Sequence, residues 1–377
     1  MPEMNGFSGI SPEDKERLAL TGIHTDSMEG RAGSFLLVND HILHAGSQTE
    51  GVEVLMIEKA LEKYEWLKEY CWNLVPKDKD QYTKYVADHP QRGYVIIAHK
   101  GAKTTFPLQS CMFLQGDTIQ TVHNIVIAEE GAEVHLIAGC ASSLKTKEGA
   151  HYGINEIYVG KNAKVTSTMI HTWGEEIEVF PRTATVVEEG GTFLSNYVCM
   201  RPTKMVQMYP TAFLKGEGAV ARFSSVIVAG TGSYIDAGSR AVLQAPNTSA
   251  ELITRAITNG GTIISRGAII AEVPQTKGHI ECRGLILKDG VMHAIPEIDG
   301  RVVDIELSHE AAVGKIARDE IEYLMARGLS EEEATATIIR GFLDVRIEGL
   351  PDALQKQIEN AIDSADSRSS GRPFCMR

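Results

Sequence analysis

Gly131-Ala132-Glu133-Val134, Asn162-Ala163-Lys164-Val165, Gly190-Gly191-Thr192-Phe193, Gly218-Ala219-Val220-Ala221 and Ser249-Ala250-Glu251-Leu252 are variants of one phrase, a turn residue leading into an alternating strand. Their first residues lie 31, 28, 28 and 31 positions apart, and a looser sixth copy begins at Gly278. Between the copies run short segments rich in Val, Ile and Thr, bounded by Gly, Asn and acidic residues, with no helical pattern. A turn and strand recurring at a nearly fixed period predict a β-solenoid whose coils stack about 4.8 Å apart. The six-residue period of left-handed hexapeptide helices is absent. The expected fold is therefore mainly β, a right-handed parallel β-helix with N-terminal and C-terminal helical segments.

Working outward, the solenoid is expected over residues 93–307, with a helical cap over 1–92. Ser11-Pro12-Glu13-Asp14 starts a helix that runs through Leu20, by N-cap serine, N1 proline and early acids. A second helix is expected from Val54 to Leu74, because Ile57, Leu61, Tyr64, Leu67 and Cys71 recur at spacings of three and four. Cys71 then reads as a small core residue on a buried stripe. Residues 308–365 read as helical. Ala317–Arg327 is one helix, Gly328 its terminator, and Ser330 with Glu333 a capping box for the next, which carries Ala334, Ile338, Ile339 and Phe342 on one side. A third helix follows at 352–362. Residues 366–377, Cys375 among them, form a loose polar tail.

Composition narrows the function classes. The 377 residues are 43% apolar and 23% charged, as in ordinary globular proteins, but only 6% aromatic with 35 glycines, which suits turn-rich β architecture. A net charge of −13 with no local basic cluster argues against nucleic acid or an anionic membrane as partner. No apolar run is long enough to cross a bilayer, and Met1–Asp14 lacks the blocks of a secretory signal, so a cytoplasmic protein is expected. In that compartment Cys71, Cys111, Cys140, Cys199, Cys282 and Cys375 are expected as thiols.

The sequence contains no nucleotide-binding GxxxxGK[ST] loop, and Gly314-Lys315 lacks both its upstream glycine and the hydroxyl residue that should follow; GxSxG, HExxH and EF-hand patterns are absent too. What remains is a scatter of thiol and imidazole groups that a repeating scaffold brings together. Nine residues into three successive copies stand Cys140, His171 and Cys199, predicted to form a column about 5 Å per step. Such a column either holds a sulfur species or iron, or is a ladder of similar-sized filling residues. A second gathering lies where the solenoid meets the C-terminal segment: His279-Ile280-Glu281-Cys282, Met292-His293, and Ser308-His309-Glu310. Cys, His and Glu suit a transition metal, yet a His-Glu pair at a helix start also serves as a cap.

At these residues the chain resembles the SufB/SufD family of iron–sulfur cluster assembly scaffolds, and SufB more than SufD. Glu65-Trp66-Leu67-Lys68, Tyr85-Val86-Ala87, Ile137-Ala138-Gly139-Cys140-Ala141, Met208-Tyr209-Pro210, Ile280-Glu281-Cys282, the run from Ser308 to Ile316, and the stretch from Tyr323 to Ala334 carry the resemblance, which spans nearly the whole chain. It implies a right-handed parallel β-helix between helical segments, dimerisation through the end of that helix, and an ABC-type ATPase, SufC, bound by the C-terminal helices. Ile338, Ile339 and Phe342 would then supply the ATPase contact.

Carried over by the resemblance, Cys282 and Glu310 match SufB residues implicated in holding a nascent cluster, and His309 resembles the interface histidine of SufD. One chain with both His309 and Glu310 implies a homodimer with two ATPase subunits. Its cargo would be a transient iron–sulfur cluster of the [4Fe-4S] type, handed to apo-proteins, and the chain itself would not be an enzyme. Reduced flavin, bound by some relatives, is a further cofactor the resemblance leaves open. Two departures stand out. No cysteine occupies Arg182-Thr183-Ala184-Thr185, where SufB has its sulfur-receiving cysteine, and Ser308 replaces a frequent acid. Sulfur is then expected as free sulfide or along Cys140, His171 and Cys199. Two other classes remain in view, a β-helix carbohydrate-active enzyme and a purely structural regulator of the ATPase.

Overall fold

Backbone handedness marks each turn of the repeat. Gly131, Asn162, Gly190, Gly218, Asn247 and Gln275 all have positive φ, between 54° and 69°, a region open to glycine and tolerated by asparagine. At this corner the turns stack by backbone hydrogen bonds, Gly131 N–H to Lys161 O and Gly190 N–H to Glu217 O, each 2.9 Å. The computed structural model describes residues 10–19, 21, 23 and 30–343, and in it these corners join a parallel β-solenoid of about eight turns.

Each coil contributes to two facing sheets. The first, ten-stranded, runs in spatial order from His41–Ser47 and Gly33–Val38 through Leu108–Leu114, Glu133–Ser142, Lys164–Thr172, Thr192–Cys199, Val220–Gly230 and Ser249–Asn259 to Thr276–Leu287 and Ile305–Gly314. The second, eleven-stranded, includes Val52–Met56, Tyr94–Ala98, Thr118–Ala128, Gly149–Val159, Tyr234–Leu243, Thr262–Ala271 and Val291–Gly300. Alternate residues point between the sheets and form one continuous core, in which Val134, Val165, Phe193, Ala221 and Leu252 are buried. Burial of this apolar face drives the stacking, at about 25 cal/mol for each Å² removed from water.

Several expectations are corrected. Ser249 pairs with Val220, not Gly218, and Gly278 pairs with Ala250. The last two copies thus start at Asn247 and Gln275, whose left-handed turn residues are followed by Thr instead of the Ala or Gly of the other copies. Residues 1–92 are not wholly helical, because strands occupy Gly33–Val38, His41–Ser47 and Val52–Met56. The helix expected over 54–74 is split. Val52–Met56 pairs antiparallel with Tyr94–Ala98, a helix spans Ile57–Lys63, and Tyr64 turns extended (φ −124°, ψ 100°) before a 3₁₀ turn at Glu65–Glu69. The apolar spacing survives the break because Ile57, Leu61, Tyr64, Leu67 and Cys71 all pack on the outer face of the second sheet.

Helical structure does not begin at Ser308 either. Ile305–Gly314 is a strand in register with Thr276–Leu287, since pairing to an exposed ladder satisfies its backbone better than an uncapped helix start. The hairpin beyond follows the reading: helices Arg318–Met325 and Glu331–Leu343, Gly328 at φ 101°, and Ser330 and Glu333 exchanging capping hydrogen bonds. The N-terminal helix Pro12–Ala19 is likewise capped, Ser11 Oγ accepting from Asp14 N–H at 3.2 Å. The expected helix 352–362, the tail 366–377 and Cys375 lie outside the described residues. Among the described residues, no helix is long and apolar enough to cross a membrane.

Candidate functional site

The column read from the repeat is present. Cys140 pairs with His171, and His171 with Cys199, on adjacent strands of the first sheet. All three are buried, and His171 Nδ1 lies 3.1 Å from the Tyr197 hydroxyl. Burial raises the thiols, Cys140 to about 12 and Cys199 to about 11, and lowers His171 to about 3. Near neutral pH this interior therefore holds neutral thiols and a neutral imidazole, because little water reaches it to solvate an ion. A small cavity between the sheets is lined by Cys140, His171, His151, Asn124, Asn155 and Met169. Cys140 and His171 thus face this void as a neutral thiol and a neutral imidazole.

The second gathering sits at the C-terminal end of the solenoid. Cys282, on Thr276–Leu287, points inward and is 5% exposed; its Sγ–H donates to Ser265 Oγ across the core at 3.4 Å. Burial raises its thiol, opposed by the Ser265 hydrogen bond and the Arg255 charge. In the last coil Cys282 pairs with Ala311, and Ser265 with Ala294. The layer between the thiol and the open end thus carries methyl side chains from both sheets. His309 pairs with inward-facing Ile280, so period-two alternation puts it on the same side of the strand as Ala311. It is exposed because no described coil follows.

Glu310 falls on the opposite face. It pairs with Glu281 and lies 3.2 Å from Arg283, which also meets Glu281 at 2.7 Å, while Arg255 meets Glu281 at 2.7 Å. The three predicted ligands therefore share the last two coils, with Cys282 and His309 on one face and Glu310 on the other. Among the described residues no three His, Cys, Asp or Glu side chains converge on one metal position. A single copy does not assemble the set.

Ile339 and Phe342 pack against the outer wall of the first sheet, on the cluster containing Ile137, Ile170, Val198, Val226 and Ile257. An apolar helix stripe beside an apolar wall buries part of itself there, and Ile338, Ile339 and Phe342 are each half-buried. The exposed apolar group of the hairpin is Tyr323, with Arg327 over its ring at 4.7 Å. A further grouping went unforeseen: Cys71, His123 and Glu156 meet beneath the N-terminal cover. The spacing of 33 between His123 and Glu156, one coil plus two residues, was the available signal.

With this geometry in hand, similarity to known proteins is extensive. A family profile described as "SUF system FeS cluster assembly, SufBD core domain" matches residues 112–342. An iron-sulfur cluster assembly SufBD family protein of Archaeoglobus fulgidus is 49% identical over 365 residues, covering 97% of this chain and 98% of that one. A protein of the same description from Methanothermobacter thermautotrophicus is 42% identical over 368 residues, 96% of this chain and 90% of that one. One from Pyrococcus horikoshii is 31% identical over 376 residues, 97% and 84%.

Proposed function

The chain belongs to the SufBD family of iron–sulfur cluster assembly proteins, and from that premise we propose that it is a cytoplasmic scaffold on which a cluster is built and from which it is released to apo-proteins. Two copies meet at the open C-terminal coils, each bringing Cys282 and His309, with Glu310 joining once the partner surface displaces it from Arg283. Thiolate, imidazole and carboxylate together hold iron less permanently than four thiolates, which suits a cargo of the [4Fe-4S] type that must leave again. A SufC-type ABC ATPase docks on the hairpin 318–343 and supplies nucleotide hydrolysis. For nucleotide to move the site, the ATPase must contact this hairpin differently in its two nucleotide states.

The observation that carries the reading is the seat of Cys282. It is an inward thiol one coil from an open solenoid end, behind Ala311 and Ala294, with His309 on the same face of the last strand. A thiol meant only to fill the core has no need of that small-residue layer.

The test is anaerobic loading with iron and sulfide, comparing the wild type with Cys282→Ala and His309→Ala. The wild type is expected to hold iron and sulfide in equal amounts with the charge-transfer absorption of a cluster. Cys282→Ala should hold neither, and His309→Ala should hold less. Equal loading in Cys282→Ala would end the assignment, and no iron uptake by any form would favour a purely regulatory subunit.

A further inference from the structure

Away from the open end, one buried cluster joins a thiol, an imidazole and a carboxylate. Residues 57–87 cover the outer face of the second sheet, and Cys71 lies half-buried in that cover. Its Sγ stands 3.8 Å from Nδ1 of His123, and Nε2 of the same ring lies 2.7 Å from Oε2 of Glu156. The imidazole and the carboxylate are both fully buried. They sit diagonally on adjacent strands, His123 opposite Ile154 and Glu156 opposite Ile125.

The proton positions follow from the acceptors. Glu156 accepts the backbone N–H of Trp72 at 2.6 Å, of Val75 at 3.1 Å, and of Leu74. Oxygens already committed as acceptors face Nε2, so Nε2 carries the ring proton and Nδ1 turns its lone pair toward Cys71. The Trp72 ring packs against the imidazole, tilted by 52° with centroids 4.4 Å apart. Trp72 itself has φ 62°, a left-handed conformation that a bulky residue keeps only where its surroundings impose it. A clamp on the 72–75 turn needs Glu156 alone; it does not need an oriented base placed against a thiol.

We propose that Cys71, His123 and Glu156 form a sulfur-accepting site, in which the Cys71 thiol takes the terminal sulfur of a small persulfide or polysulfide with His123 as general base. The inference rests on the assembly reading above, which requires sulfur to reach the chain from outside. Cys71 Sγ–H passes its proton to Nδ1, and the sulfur lone pair attacks the terminal sulfur of R–S–S–H. The new S–S bond forms as the donor's S–S bond breaks. The leaving R–S⁻ takes the proton back from His123, so the products are a Cys71 persulfide and R–SH, with no external oxidant or reductant. Glu156 stabilises the imidazolium that exists between the two proton transfers.

Burial, and after it the Glu156 charge, push the Cys71 thiol up to about 11, against the Gln91 hydrogen bond and the Lys77 charge. Cys71 is therefore a resting thiol whose attack depends on the base, not a standing thiolate. This gives the site a signature in its pH profile. With His123 acting, attack at neutral pH runs faster than the small ionised fraction of so weakly acidic a thiol allows. Without it, the rate climbs with hydroxide toward the thiol's own ionisation.

The experiment treats the full-length reduced protein with inorganic polysulfide, traps with iodoacetamide, and measures the Cys71 peptide by mass spectrometry. Expected is a sulfur adduct on Cys71 of the wild type, formed at neutral pH faster than the thiol's own ionised fraction allows. His123→Gln should lower that rate about tenfold or more at neutral pH and less in alkali. Because His123→Gln removes a buried ring, the wild-type pH profile stands as a test that needs no variant, and Glu156→Gln gives a second, smaller loss. A Cys71 rate that climbs steadily with hydroxide, or one unchanged in a folded His123→Gln protein, overturns the proposal. If iron and sulfide load normally yet Cys71 takes no sulfur, this inference fails and the assembly reading stands. If Cys71 takes sulfur and no iron is held, the reverse is true.

Discussion

Among the described residues, the two ends of the solenoid are finished in opposite ways. At the N-terminal end His41–Ser47 runs antiparallel to Gly33–Val38, and Val52–Met56 runs antiparallel to Tyr94–Ala98, so each sheet ends there on a reversed edge strand. At the C-terminal end Val291–Gly300 and Ile305–Gly314 continue the parallel order and have described neighbours on one side only. The terminal strand His41–Ser47 is mostly half-buried, whereas most of Ile305–Gly314 is exposed. Unpaired strands of this length invite another chain, and proteins that do not want one blunt them. Under the proposed function, the cargo site and the contact between copies both belong to the C-terminal end, and the contrast between the ends is the place to test it.

The sharpest way to separate interior from end is by stability. Phe193 is 1% exposed and meets Phe223 edge-on with ring centroids 5.8 Å apart in the middle of the core. Phe193→Ala is expected to cost about 3–5 kcal/mol in denaturant unfolding, the usual loss for a buried ring with its cavity. Val291 is 43% exposed at the open end, and Val291→Ala should stay within about 0.5 kcal/mol. Comparable losses at both positions would mean that the end coil is covered in solution even at low concentration.

The next effect comes from acid. Burial lowers His151 to about 4, and burial together with the His151 charge lowers His171 to about 3. Both rings pack on Trp173, with centroids 5.1 and 5.7 Å away. A histidine depressed on folding binds more protons unfolded than folded. Its contribution is therefore complete above about pH 6.5 and is lost as pH falls toward the folded values. For His151 the full loss is roughly 3 kcal/mol. The unfolding free energy should fall steeply between about pH 6.5 and 4, and His151→Gln, which keeps a polar partner for Gln120, should flatten that slope. An equal slope in the variant would show that the ring is not the proton acceptor that unfolding exposes.

The same contrast explains what the residues disclosed. Interior coils were legible because a core between two sheets demands strict alternation and a constant coil length. Cys140, His171 and Cys199 therefore fell in register from counting alone. Register slipped at Asn247 and Gln275, where the left-handed turn residue is followed by Thr instead of the Ala or Gly of the other copies and so is not announced. The ends were harder. Val52–Met56 and Ser308–Gly314 acquire their strand character from a pairing partner far along the chain, which local spacing does not contain. That Glu310 faces away from Cys282 follows from parity once the strand is known, and was hidden while the segment read as a helix start. Ile339 and Phe342 read correctly as one apolar side, but a periodic stripe does not say which wall it covers.

The smallest expected effect is the most direct test of the two ends as interfaces. Ile298 is 43% exposed on the open side, and Leu43 is 42% exposed on the N-terminal side. A lysine at either position adds a charge to a similarly exposed aliphatic site, so monomer stability should change little and to the same degree. Self-association should not. If copies meet at the open coils, Ile298→Lys buries an unpaired ammonium in the contact and should weaken dimerisation by about 2 kcal/mol, some thirtyfold in the dissociation constant, as for truncation of an interface anchor. Leu43→Lys should leave it within about twofold, because the proposed contact does not involve that end. Sedimentation velocity over a concentration series measures both. Equal weakening by the two substitutions, or by neither, would remove the open end as the meeting place and leave Cys282 and His309 without the second copy that completes their site.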